Sequence, residues 1–165
     1  MEIKKTKVLN KGITNKNPCR VLYLPELLQI VTVSYIYNSE TKTRIGSLQL
    51  FNTYSTPYLS TLNKTAIKDN LSFGVLSLST FNKPNTVLVG CSDGFLRGYE
   101  MNEVTLILER SFGSDLLLHH SFNPKTKHAC TAFSNGCIAY TKDLFNSNER
   151  IGIIKLKSHR NNKGT

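Results

Sequence analysis

The sequence predicts an all-β fold, a partial β-propeller of about two and a half to three four-stranded blades. Three observations predict it. A block recurs after 42 residues. Each copy carries an Asp-Gly or Asn-Gly pair at the same place. Short apolar runs of period two flank that pair on both sides, the pattern of two half-buried strands joined by a tight hairpin.

The two copies of the block cover residues 87–99 and 129–141 and align without a gap. Ser92, Asp93 and Gly94 of the first stand where Ser134, Asn135 and Gly136 stand in the second. Asn, Asp and Gly tolerate the positive φ that a tight turn demands, so each block reads as strand, turn, strand. Residues 74–79 and 116–120 supply an inner strand before each block. Loops holding Asn82-Lys83-Pro84-Asn85 and Asn123-Pro124-Lys125 separate strand from hairpin. Residues 106–110 and 151–156 follow as outer strands. The 42-residue spacing lies inside the roughly 40 to 45 of a WD-type blade. Tyr99-Glu100 and Tyr140-Thr141 hold the places of the Trp-Asp pair; the chain has no Trp and no Gly-His pair at a blade start.

A more divergent copy comes first. Residues 19–24 read as its inner strand, 28–37 as the next and 45–51 as the third, with a longer polar loop over 38–44 in place of the tight turn. A loop that grows while its strands are kept is either functional or a tolerated surface insertion. The blades are expected at about 18–65, 66–112 and 113–158. Residues 1–17 are expected to form a basic N-terminal segment, an outer strand or a frayed end, and residues 159–165 a disordered tail. A propeller closes with at least about four blades. The chain is therefore expected to be a truncated product, one part of a split protein that pairs with missing blades, or half of a self-associating assembly.

Composition narrows the class. No apolar run reaches the roughly 18 to 20 residues of a membrane span, and the basic start is not followed by the apolar stretch of a signal peptide. The chain is expected in the cytoplasm. Cys19, Cys91, Cys130 and Cys137 match no common zinc spacing and read as apolar fillers, so neither metal nor cofactor is expected. The net charge of +10 gathers at Lys4, Lys5, Lys7, Lys11 and Lys16 and again at Lys155, Lys157, Arg160 and Lys163. Without an arginine stripe or an aromatic RNA-binding signature, solvated termini are favoured over a nucleic-acid surface. RNA binding would show as steep salt dependence.

Five stretches, in their order along the chain, carry a family resemblance. Thr43-Arg44-Ile45-Gly46-Ser47-Leu48-Gln49-Leu50-Phe51 follows a variable loop after Val31-Thr32-Val33-Ser34-Tyr35. Gly74-Val75-Leu76-Ser77-Leu78 and then Val89-Gly90-Cys91-Ser92-Asp93-Gly94 come next, and Lys157-Ser158-His159 stands near the end. Over about residues 18–159 the chain resembles the N-terminal half of the diphthine methylesterase WD-repeat family. Two departures stand out. Val75-Leu76-Ser77-Leu78 lacks the family's Asp and Trp, and the later Gly-Gly-Asp-Asp-Gly hairpin is missing. The resemblance implies a carboxylic ester hydrolase that removes a methyl ester from a modified histidine of translation elongation factor 2 in diphthamide biosynthesis. If the missing half is needed, it implies an inactive relative.

Ester hydrolysis needs an activated nucleophile or water and donors for the oxyanion. Gly90-Cys91-Ser92-Asp93-Gly94 has the letters of Gly-x-Ser-x-Gly but falls in a strand–turn–strand block, not the strand-to-helix turn of a nucleophile elbow, and there is no His-x-x-x-His pair. His119 and His120 fall on an inner strand, one expected on the channel side and one on a packing face; beside Ser121 the channel-facing one is a conceivable general base. A satisfied structural histidine is the commoner outcome. Asp93 and Asp115 read first as turn residues, and His128 and His159 carry no motif. The catalytic residues are unknown from the sequence. The competing reading is a non-enzymatic WD-repeat scaffold for protein–protein interaction, because fold does not fix function.

Overall fold

The computed structural model describes residues 17–52 and 63–156. The expected N-terminal segment, the tail with Lys157-Ser158-His159, and the 53–62 connection lie outside the described residues. Among the described residues twelve strands form three four-stranded antiparallel sheets, each in sequence order across the sheet. The first holds β1 (Asn17–Leu24), β2 (Gln29–Asn38), β3 (Thr43–Asn52) and β4 (Asn63–Leu71). The second holds β5 (Val75–Thr80), β6 (Thr86–Cys91), β7 (Phe95–Glu100) and β8 (Thr105–Ser111). The third holds β9 (Leu117–Phe122), β10 (Ala129–Phe133), β11 (Cys137–Thr141) and β12 (Gly152–Lys155). β1 lies against β5, and β5 against β9, so the inner strands stand side by side. The chain passes from the first sheet to the second at residues 72–74, later than the expected break after residue 65.

The turns behave as their residues dictate. Gly94 and Gly136 take φ of 82° and 79°, and the amide of each donates back to Cys91 and Phe133 across the turn. The Asp93 and Asn135 carboxyl and amide oxygens accept from the amides two residues on. The two glycines differ in their surroundings. A Cβ at Gly94 would run into the Gly113 carbonyl, whereas one at Gly136 meets nothing within 4 Å. Gly136→Ala is therefore expected to cost about 1 kcal/mol, the strain of the left-handed backbone alone. Gly94→Ala should cost at least about twice that, because backbone must also shift. Urea midpoints of the two variants check this; equal losses would contradict it.

The expected 38–44 loop is partly strand. β2 and β3 stay in register from Gln29↔Asn52 to Asn38↔Thr43, leaving only residues 39–42 as the turn. Ile36 opposite Ile45 and Tyr37 opposite Arg44 favour the extended ladder. The side-chain oxygen of Asn38 accepts from the amides of Glu40 and Thr41 and closes the tip.

Two apolar seams hold the sheets together. Leu24, Val31, Val33, Leu48 and Leu50 of the first sheet interlock with Val75, Val87, Val89, Cys91, Tyr99, Met101 and Val104 of the second. Phe81, Leu88, Leu96 and Phe112 of the second interlock with Leu117, Ala129, Phe133, Ala139 and Leu144 of the third. Each sheet thus has a trailing face turned toward the next blade and a leading face turned toward the one before. Gly90 belongs to this fit, since a Cβ there would run into Ser77 Oγ and the Leu117 side chain. At roughly 25 cal/mol per Å² of apolar area removed from water, such seams dominate the stability.

One buried side chain works against it. Gln49 is 2 % exposed, and neither atom of its amide finds a hydrogen-bond partner. An orphaned buried amide costs about 1 to 3 kcal/mol. Gln49→Leu is expected to raise the thermal midpoint; a lowered midpoint would mean the amide has a partner in solution.

Candidate functional site

The residues with chemical potential gather at the seam between the second and third sheets. β5 carries Ser77 and Ser79 on its trailing face, two residues apart and so on the same side of the strand. β9 carries His120 on its leading face opposite them. His120 Nδ1 lies 2.7 Å from Ser77 Oγ, and its Nε2 lies 2.7 Å from Ser79 Oγ. A neutral imidazole has one donor and one acceptor nitrogen, and a hydroxyl serves either, so both ring nitrogens are satisfied. Burial, with a smaller contribution from the neighbouring His119, pushes the His120 pKa down to about 4. The ring is neutral at pH 7.

This geometry corrects the expected orientation of the two histidines. Side chains of a blade strand alternate between its two packing faces, so neither ring is set apart for the channel. His120 is 5 % exposed inside the seam, and His119 is exposed on the opposite, trailing face of the third sheet. Ser121 shares that exposed face and makes no bond with His120.

Chemically, Ser79–His120 has the spacing of a nucleophile and its base. The rest of such a site is missing from the contacts around it. Ser77 holds the ring nitrogen that a carboxylate would orient, and it brings no charge to stabilise an imidazolium. A ring with a pKa near 4 is a weak base at neutral pH.

The two aspartates are turn residues, as their positions foretold. Asp93 receives a bidentate ion pair from Arg97, at 2.9 and 2.8 Å, whose Nε also donates to Glu109 at 2.6 Å. The guanidinium stacks 3.8 Å over Phe73 and 4.6 Å over Phe95. These partners hold Arg97 charged, and one cation thereby staples turn, third strand, fourth strand and the link from the first sheet. Asp115 accepts from Asn135 at 2.7 Å. Of the cysteines only Cys91 is buried, its thiol pushed up to about 12 by desolvation; Cys19 and Cys137 are half-buried and Cys130 is exposed. The filler expectation therefore describes one of them well. Among the described residues no group of three metal-ligating side chains comes together.

Sequence reasoning missed Arg110. From the end of β8 its guanidinium donates to the carbonyls of Asp143, Leu144, Asn146 and Glu149, gathering the long loop of the third sheet. Phe145 from that loop stacks on Phe81 with ring centroids 5.6 Å apart, and Phe122 completes the cluster.

Four-stranded antiparallel sheets stacked through alternating faces, inner strands side by side, define consecutive blades of a β-propeller. Solved WD40 domains share this fold. The C-terminal WD40 domain of Sif2 superposes with a TM-score of 0.62 at 14% identity, covering 87% of this chain and 38% of that one. Chaetomium thermophilum Sqt1, solved bound to the N-terminus of the ribosomal protein L10, gives 0.60 at 16% identity, covering 84% and 36%. The chain thus spans little more than a third of either. No protein-family model and no curated protein sequence matches it.

Proposed function

We propose that this chain is the protein-binding part of a WD40-type scaffold in the cytoplasm. The observation that carries this reading is the fate of His120. Among the described residues it is the one histidine held against a serine hydroxyl, and both of its nitrogens are taken up in fastening two blades. What the fold leaves free is surface of the kind partners use. The β2–β3 hairpin lifts Ile36 and Tyr37 into solvent, and Arg44 lies 4.8 Å over the Tyr37 ring. An exposed Tyr with a half-buried Arg stacked on it is a pair of residue types that anchor interfaces. Sqt1, of the same fold, was solved with a ribosomal protein segment bound.

The test is affinity capture with the intact chain and with a Tyr37→Ala, Arg44→Ala double variant. The scaffold reading expects one stoichiometric protein partner, lost from the variant while its unfolding curve is unchanged. Equal capture by both would remove the hairpin from the binding surface.

A second reading follows the family resemblance: hydrolysis of the methyl ester on the modified histidine of elongation factor 2. Its support is the 2.7 Å contact between Ser79 Oγ and His120 Nε2. It requires turnover that Ser79→Ala abolishes, and it names elongation factor 2 as the partner.

A further inference from the structure

We infer that a slot between the second and third blades, beside the Asn135-Gly136 turn, binds an arginine side chain of a protein partner. This names one anchor of the scaffold proposed above and rests on that reading. The slot has a volume of about 150 Å³. Phe133, Cys137, Ala139 and Ile153, on the leading face of the third sheet, line one side of it. The link from Phe112 to Asp115 lines the other. Ile153 is 66% exposed there, and Cys137 is half-buried.

The repeat shows what such a place holds. Forty-two residues before Ala139 stands Arg97. The register around the two is the same: Thr131 pairs with Ala139 as Val89 does with Arg97, and Ile153 stands opposite Ala139 as Glu109 stands opposite Arg97. In the second blade the Arg97 guanidinium fills this place, donating to Asp93 and Glu109 with its plane 3.8 Å over Phe73. In the third blade alanine leaves the place empty of side chain, and the slot lies there.

The third blade keeps what a guanidinium needs, at permuted positions. Asn135 replaces the turn carboxylate of Asp93, but Asp115 brings a carboxylate where the second blade has Phe73. Asn135 Nδ2 donates to Asp115 at 2.7 Å, and the Asn135 Oδ1 is itself fixed by the Cys137 amide at 2.8 Å. Phe133, at the place of Cys91, supplies an aromatic ring. Of the residues lining the slot Asp115 alone is charged, and among the described residues no Lys or Arg pairs with it. A fixed carboxylate beside a ring, over an apolar floor, suits a planar cation on an apolar stem.

The probe is the peptide acetyl-Gly-Arg-Gly-amide, with the uncharged citrulline peptide of the same shape beside it. Each is titrated into the isotopically labelled full chain and followed by amide chemical shifts. This reads the slot without any partner, so its failure is distinct from a failed capture by the scaffold. The arginine peptide is expected to shift the Cys137 amide and the Asn135 side-chain amide saturably. A net charge of +10 draws no cation to the chain by its overall field, so saturation reports the slot itself. The citrulline peptide should bind at least about tenfold more weakly, the cost of losing a charge-assisted hydrogen bond. Asp115→Asn should weaken the arginine peptide by the same factor with its thermal midpoint unchanged. Ala139→Arg returns a guanidinium to the place Arg97 holds, and is expected to abolish the shifts while the circular dichroism spectrum stays the same. The inference is overturned by equal binding of the two peptides, by an Asp115→Asn chain that binds like wild type, or by no saturable shift below about 10 mM.

Discussion

Arg110→Met is expected to lower the unfolding free energy by about 3 to 5 kcal/mol, the range for removing one partner of a buried charged network. Arg110 is 8 % exposed, and its guanidinium is the shared donor for four carbonyls of the 143–149 loop. Without it those carbonyls turn inward with no donor, at about 1 to 3 kcal/mol for each that water cannot reach. The loop also anchors Phe145 on Phe81, so apolar contact across the seam goes with it. Lys is expected to recover less than half of the loss, because an ammonium lacks the planar fork that serves several acceptors at once. Urea unfolding with an unchanged m-value measures the effect. Faster amide exchange at Leu144, whose N–H donates to the Lys127 carbonyl at 3.0 Å, locates it. A loss below about 1 kcal/mol would show that the loop is held by its own turns instead.

The second large effect is a dependence of stability on pH that one side chain dominates. Unfolded, His120 takes up a proton near its ordinary value of 6.5; folded, it does so only near 4. Its folded pKa is depressed, so the unfolded chain binds more protons throughout that interval. The contribution of the seam is full above about pH 6.5 and is lost as pH falls toward 4, by roughly 3 kcal/mol in all. Protonation also removes the acceptor nitrogen, leaving one serine hydroxyl facing an N–H. His120→Asn keeps a polar group near the Nδ1 position opposite Ser77 and has nothing to titrate. It is expected to be less stable at pH 7 by about 1 to 2 kcal/mol, and the difference between variant and wild type should shrink as pH drops. A constant difference from pH 7.5 to 4.5 would mean that His120 is reached by water and titrates normally.

These two residues mark where the sequence stopped being legible. Ser92-Asp93-Gly94 and Ser134-Asn135-Gly136 declare their hairpins because a tight turn leaves its signature in the turn residues themselves. The period-two runs on either side declare the strands, and the 42-residue spacing ties the two copies together. β4 left no such trace: Asn63-Lys64-Thr65-Ala66-Ile67-Lys68-Asp69 lacks apolar alternation, since an outer strand is held largely by its backbone ladder. The turn at residues 39–42 looked longer because Asn38, Thr43 and Arg44 are polar, although they pair across an exposed hairpin. Arg110 binds backbone carbonyls, which every residue possesses, so its partners carry no pattern to find. His120 meets serines 41 and 43 positions earlier. Only the stacking of blades brings them together, and which of two adjacent histidines faces inward depends on strand parity that a one-residue slip reverses. The fold was thus visible in local patterns, and the site depended on contacts between blades.

The choice between scaffold and enzyme is tested most directly by the mass of the substrate. Elongation factor 2 carrying the methylated diphthine is incubated with the purified chain, with its Ser79→Ala variant and with no added protein, and each is followed by intact-mass spectrometry. A scaffold leaves the mass unchanged in all three, with the chain shown by circular dichroism to be folded. Loss of the ester methyl with the wild-type chain, absent from the other two, would contradict the scaffold reading and make Ser79 and His120 a catalytic pair.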